Sequence, residues 1–231
     1  VLLRSELGNI GFKDTVRLIR KAHWKDPNTE KLFFTLFTEP EKVSYQNIPI
    51  LTQVLSGLYS FNRNFAIMCI DQVLENIENG LESNTYAENT SRIANIRYLV
   101  EIFNYEMMKS NVLMDTMYHI VKYGHPNGQP NPFKLNPNDL PNNYFRIHLI
   151  VTILSNIRRT PSSLTSSLQL LLRFFEYYIF TKEFPLPKET EYAVNNLFEK
   201  LSTLIEKKDK TKFTRSANLL ESLQKFQEYL V

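Results

Sequence analysis

Apolar residues recur three and four positions apart along almost the whole chain, and this period constrains the fold more than any other feature. Segments near 12–22, 29–38, 45–60, 63–82, 87–108, 111–123, 142–159, 163–182, 188–206 and 212–230 all carry it. In 142–159, Phe145, Leu149, Thr152, Ile153 and Ile157 share one helical face; in 188–206, Val194, Leu197, Phe198, Leu201 and Ile205 do. A strand would alternate with period two. With only 6 glycines in 231 residues, the chain also lacks the turn material of an all-β fold. The expected fold class is therefore all-α, with about ten helices stacked as about five antiparallel hairpins in an α-solenoid. No clean internal sequence repeat accompanies the pattern, and no domain break interrupts it, so residues 1–231 are expected to form a single domain.

Breaker chemistry marks the joints. Asp26-Pro27-Asn28-Thr29 supplies a cap and a proline for a helix start. Thr160-Pro161-Ser162-Ser163 is expected to stop one helix and cap the next, and Pro185-Leu186-Pro187 breaks the chain before another. Gly124-His125-Pro126-Asn127-Gly128 opens the one long loop, which runs to about Asn142 and holds Pro126, Pro130, Pro132, Pro137 and Pro141. Its end, Asn138-Asp139-Leu140-Pro141-Asn142-Asn143, reads as a cap region, so the loop is expected to be ordered.

A single cysteine, Cys69, cannot form an internal disulfide, which fits a reducing compartment, cytosol or nucleus. No run of 18 apolar residues is present, so no membrane-spanning helix is expected. The start at Val1-Leu2-Leu3-Arg4 has neither a methionine nor a signal-peptide pattern, and the chain is read as a piece of a longer protein. A net charge of +3 is too small to imply nucleic acid by itself.

Catalytic and metal-binding patterns are missing from the sequence: no phosphate loop, no zinc-type Cys/His set and no nucleophile elbow. Asp115 and His119 lie four apart on one predicted helix, but a single such pair does not close a metal site. His148, between core positions Ile147 and Leu149, reads as a packing histidine. Neither a cofactor nor an enzymatic activity is expected.

The segment Phe61 to Glu82 is the most informative. Asp71, Glu75, Glu78 and Glu82 are spaced four, three and four apart. On a helix they fall within an arc of roughly 60°. Ile70, Val73, Leu74, Ile77 and Leu81 occupy the opposite side. Like charges at this spacing repel, and Glu78 and Glu82 stand at the helix end that already carries partial negative charge. Three explanations are open: a basic partner outside the chain, internal pairing with Arg92, Arg97 or Lys109, or plain solvation. A second charged feature, Lys207, Lys208, Lys210 and Lys212 followed by Arg215, is either an RNA phosphate contact or a soluble helix–helix turn.

Several stretches carry a family likeness. They are Leu55-Ser56-Gly57-Leu58 leading to Ala66-Ile67-Met68-Cys69-Ile70-Asp71-Gln72-Val73-Leu74-Glu75-Asn76-Ile77, then Arg92-Ile93-Ala94-Asn95-Ile96-Arg97-Tyr98-Leu99-Val100-Glu101, then Phe145-Arg146-Ile147-His148-Leu149. Phe174-Phe175-Glu176-Tyr177-Tyr178, Phe184-Pro185-Leu186-Pro187 and the pair Trp24 and Asp26 add to it. Together they resemble the third middle-type domain of the up-frameshift-two family of nonsense-mediated mRNA decay factors. That family shares its fold with the middle domain of translation initiation factor four-gamma. The resemblance implies HEAT-like hairpins in a non-catalytic, cytoplasmic scaffold of mRNA surveillance. Its implied partner is the RNA-recognition-motif-like domain of up-frameshift protein three, gripped through an acidic helix whose contacts correspond to Asp71, Glu75 and Glu82. The family pattern has no acid at Glu78, which enters by spacing alone, and has an acid where this chain has Asn76. The resemblance also implies weak RNA binding, for which the Lys207–Arg215 cluster is the candidate. It further implies contact with the helicase up-frameshift protein one, made by a segment outside this chain.

Overall fold

A computed structural model of the chain describes residues 11–159, 161–209 and 213–228. The described residues contain ten α-helices and no strand. The helices are α1 (Phe12–Arg20), α2 (Pro27–Thr38), α3 (Ile48–Tyr59), α4 (Arg63–Ser83), α5 (Asn89–Asn104), α6 (Ser110–Lys122), α7 (Phe145–Asn156), α8 (Ser162–Phe180), α9 (Lys188–Asp209) and α10 (Leu219–Glu228). They fall into two compact units that divide between Lys109 and Ser110. Within each unit every helix packs on the next helix but one, and α3 with α4, α4 with α5, α6 with α7 and α8 with α9 also pack as sequence neighbours.

In the first unit α3 is the central element. Leu51, Val54, Leu55 and Leu58 are fully buried on it. Gly57 lets α1 approach so closely that a Cβ there would lie 2.8 Å from a methyl of Val16. Trp24 fills the start of this core against Phe33, Phe61 and Phe65, and its indole N–H donates to the Ile19 carbonyl. Asp26 caps α2 as its sequence promised. Its carboxylate accepts from the Asn28 and Thr29 amides and from the Thr29 hydroxyl, while Pro27 takes the first helical position. The Thr29 hydroxyl and the Asn28 amide hold that carboxyl below its ordinary range.

The second unit is organised around two buried carboxylates. Asp139, in the long loop, accepts from His125 Nε2 at 2.8 Å, the Tyr178 hydroxyl at 3.0 Å and Lys182 Nζ at 2.5 Å, with Arg146 Nε 3.7 Å away. Burial opposes its ionisation, but the His125 hydrogen bond and the Arg146 and Lys182 charges outweigh it and hold the carboxyl below the usual range. This cluster orders the proline-rich loop against α7 and α8. Glu176 on α8 accepts from Arg215 Nε, the Ser216 amide and the Ser216 hydroxyl at 2.8–2.9 Å, and from Arg173 at 3.4 Å.

Several boundaries differ from the sequence expectation; the helix expected over 142–159, for one, runs only from Phe145 to Asn156. Pro161 stands at the N-cap of α8 and offers no side-chain acceptor, so no side-chain cap forms there. The predicted helix 87–108 starts at Asn89 after a short 3-10 turn and ends at Asn104, because Glu106 takes a left-handed φ of 62°. The predicted helix 212–230 begins only at Leu219, since the preceding residues are drawn onto Glu176.

Candidate functional site

Helix α4 carries the acidic stripe, and its own chemistry sets where it starts and stops. Asn62 caps it by accepting from the Phe65 amide at 3.2 Å, and Asn84 ends it in the left-handed conformation that asparagine tolerates. Phe65, Ala66, Cys69, Ile70, Val73, Ile77 and Leu81 are buried on one side. Leu74, expected to join them, is only half-buried. Burial raises the Cys69 thiol well above its ordinary range, so this cysteine is a packing residue.

The opposite side presents Asp71, Glu75 and Glu82 to solvent. Among the described residues, no hydrogen bond or salt bridge engages these three carboxylates. Glu78 differs: it is half-buried and is engaged within the chain. None of the cations considered for internal pairing bonds Asp71, Glu75 or Glu82 among the described residues. Arg97 bonds Glu101 at 2.8 Å, and Arg92 is buried and donates to Asn84 and Asn89. Lys109 is exposed. Two apolar side chains, Ile67 (39 % exposed) and Met68 (51 % exposed), flank the line of carboxylates at its N-terminal end.

Asn76, where the family pattern has an acid, faces inward from the stripe. Its Nδ2 donates to the Thr38 carbonyl at 2.9 Å and to Asn95 Oδ1 at 3.3 Å, and its Oδ1 accepts from Gln72 at 3.1 Å. An amide can do both; a carboxylate could only accept. Sequence reasoning flagged the position but had no signal for this role, because the Thr38 carbonyl lies 38 residues away.

The basic cluster is described only in part. Lys207 is exposed near the end of α9, and Lys208 lies in the same last turn. Lys210 and Lys212 lie outside the described residues. Arg215 is committed to Glu176, with a further hydrogen bond to Asn195 and its guanidinium 4.1 Å over the Phe198 ring. Asp115 is exposed on α6, and His119 packs its ring edge-on to Tyr123. His148 meets the Thr190 hydroxyl at 3.1 Å, and burial lowers its pKa, as suits a packing histidine. Among the described residues no three His, Cys, Asp or Glu side chains gather as metal ligands, and no helix is long and apolar enough to cross a membrane.

An all-helical chain with a solvent-facing acidic helix is thus what has to be placed among known proteins. The family model for the MIF4G domain matches residues 2–227, and the chain belongs to that family. Within it, the chain is homologous to factors of nonsense-mediated mRNA decay. It is 58% identical over 230 residues to nonsense-mediated mRNA decay protein 2 of Saccharomyces cerevisiae, a match covering 100% of this chain and 21% of that protein. It is 29% identical over 202 residues to regulator of nonsense transcripts UPF2 of Arabidopsis thaliana, and 28% over 211 residues to regulator of nonsense transcripts 2 of Homo sapiens. In both cases 87% of this chain and 16% of the relative are covered. The chain therefore spans about a fifth or less of these relatives' length.

Proposed function

We propose that the whole chain acts as the third MIF4G-type domain of a nonsense-mediated decay factor, a non-catalytic cytoplasmic scaffold. Its α4 face binds the basic RNA-recognition-motif-like domain of up-frameshift protein three. The observation that carries this reading is the set of three carboxylates, Asp71, Glu75 and Glu82, exposed in line and left unneutralised. Local stability does not favour such a line, so a basic surface that neutralises it supplies the missing favourable term. Glu78 contributes from the edge, and Ile67 and Met68 give the charged strip an apolar end. One family model spanning residues 2–227 supports treating both compact units as parts of one domain. Contact with the helicase up-frameshift protein one is not assigned to these residues.

The test is Asp71→Arg together with Glu75→Arg, with binding and melting measured on the same protein. Binding to the basic domain is expected to be lost, since each reversal turns an attraction into a repulsion worth several kcal/mol at an interface. The melting temperature should not fall, because both side chains are exposed without a hydrogen bond or salt bridge among the described residues and the cation placed at position 75 stands three residues from Glu78. A destabilised variant that still binds would sink the proposal. Glu82→Arg should act in the same direction, more weakly.

The second reading is RNA binding through Lys207, Lys208, Lys210, Lys212 and Arg215. Arg215's commitment to Glu176 counts against its share in such a surface. If RNA is the ligand, affinity will fall steeply with salt and survive reversal of the stripe.

A further inference from the structure

The end of the first unit where α1 stops and α4 starts carries charge opposite to that of the stripe. Two segments meet there. Residues 15–25 hold Arg17, Arg20, Lys21 and Lys25 and no carboxylate; residues 43–70 hold Arg63 and no carboxylate. All five cations are exposed. Arg17 is shared with Asp14 at 3.5 Å, whereas Lys21, Lys25 and Arg63 meet no carboxylate among the described residues. Two of the guanidiniums are steadied by one turn, that between α3 and α4. Arg20 donates to the Gly57 carbonyl at 2.6 Å and stands 5.5 Å over the Phe61 ring, and Arg63 stands 5.5 Å over the Tyr59 ring.

The helix dipole accounts for part of this. Arg17, Arg20 and Lys21 stand at the C-terminal end of α1, where cations are favoured. Arg63 does not fit that account. It is the first residue of α4, the positive end of a 21-residue helix whose first turn holds no acid. A cation at that end, beside four more, is locally disfavoured, and a bound anion offsets the repulsion. The surroundings decide which anion. Phe61 is 52 % exposed beside Arg20, and Ile67, one turn after Arg63 along α4, is 39 % exposed, so the patch offers apolar contact as well as charge. A long uniform polyanion is disfavoured, because Asp71 opens the acidic stripe eight residues after Arg63, about 12 Å along the same helix. Guanidinium forks steadied on rings suit carboxylates, which they can take through both oxygens.

We infer that this end is a docking site for a short acidic segment of a partner protein. Carboxylates of the segment meet Arg20 and Arg63, with Lys21 and Lys25 alongside, and an apolar residue of it packs on Phe61 and Ile67. The site is independent of the stripe and selects the opposite charge, so the domain can hold an acidic segment whether or not α4 holds a basic surface.

Fluorescence anisotropy on the whole chain tests this with three labelled probes. They are a dodecapeptide of glutamate with a central pair of phenylalanines, the same peptide with glutamine for every glutamate, and an oligouridylate of equal length. The acidic peptide is expected to bind, and the glutamine peptide to bind at least about tenfold more weakly. Arg63→Glu with Lys21→Glu should weaken the acidic peptide at least about tenfold, and Phe61→Ala should weaken it too. Asp71→Arg with Glu75→Arg should leave it bound as tightly or more so, since a repulsion is removed. Arg63→Glu suits the dipole of α4 and Lys21→Glu opposes that of α1, so the double variant should melt near the parent. Arg63→Gln, which removes one charge without reversing it, should give a smaller loss of the same peptide. No binding of the acidic peptide, equal binding of the glutamine peptide, tighter binding of the oligouridylate, or unchanged affinity in the Arg63→Glu/Lys21→Glu variant would overturn the proposal.

Discussion

Replacing Glu176 by alanine should weaken the second unit more than a single surface-linked carboxylate would. The side chain is 1 % exposed and accepts four hydrogen bonds, from Arg215 Nε, the Ser216 amide, the Ser216 hydroxyl and Arg173 Nη1. Their shares differ. Arg215 keeps 39 % of its side-chain surface in water and can solvate its charge when released, so its share is small. Arg173 is 5 % exposed and would keep the Thr214 carbonyl and the Phe213 ring but lose the buried carboxylate beside it. The buried Ser216 would lose the acceptor for both its amide and its hydroxyl. Removing one partner of a buried pair in this way costs about 3–5 kcal/mol. For a chain of this length each kcal/mol lowers the melting temperature by about 2–4 °C, so a fall of about 6–20 °C is expected in scanning calorimetry. Glu176→Gln keeps the shape and one acceptor and should recover part of the loss. A fall corresponding to less than about 1 kcal/mol in Glu176→Ala would refute the assignment of Glu176 as the anchor of residues 213–216.

Other expectations are simpler to state. Asn76→Asp restores the acid of the family pattern but sets a carboxylate against the Thr38 carbonyl and Asn95 Oδ1; it should cost about 1–3 kcal/mol in denaturant unfolding, and an unchanged midpoint would contradict the inward role. Asp139 should make the second unit acid-sensitive. Its carboxyl is depressed in the fold, so its stabilisation is complete above its ordinary value of 3.8 and is lost as pH falls through the lower folded value. His125, Arg146, Lys182 and Tyr178 are the groups that face it, and burial holds Lys182 below its own ordinary range. Asp139→Asn should be less stable at neutral pH and should flatten the stability-versus-pH curve below about pH 4, where circular dichroism can follow both proteins.

The helices were legible because each needs only its own periodicity. Helix α4 shows this well: the spacing that buries Ile70, Val73, Ile77 and Leu81 also places Asp71, Glu75 and Glu82 in water. What the sequence hid depends on distant partners. Glu78 has the same spacing as its neighbours, yet it is half-buried and engaged within the chain. Arg215 looked like part of a basic run because Glu176 lies 39 residues before it. Likewise, the loop's order was readable from its prolines and asparagines. The reason for that order, Asp139 gathering donors from as far as Lys182, was not. Periodicity reports which side of a helix faces the core; it carries no record of which polar group meets which.

On the proposed function, the line of Asp71, Glu75 and Glu82 on α4 would also bear on how fast a partner arrives. From Asp71 to Glu82 it runs eleven residues, or about 17 Å of helix. That exceeds the screening length of about 8 Å at physiological salt, so an approaching basic surface senses one end of the line before the other. On a molecule whose net charge is +3, such a strip is a local reversal of sign, and it turns an incoming cation toward one face of one helix. Its influence would therefore be felt first in the rate of encounter, which salt slows, and only afterwards in the lifetime of the complex, which the close contacts of Ile67 and Met68 would govern.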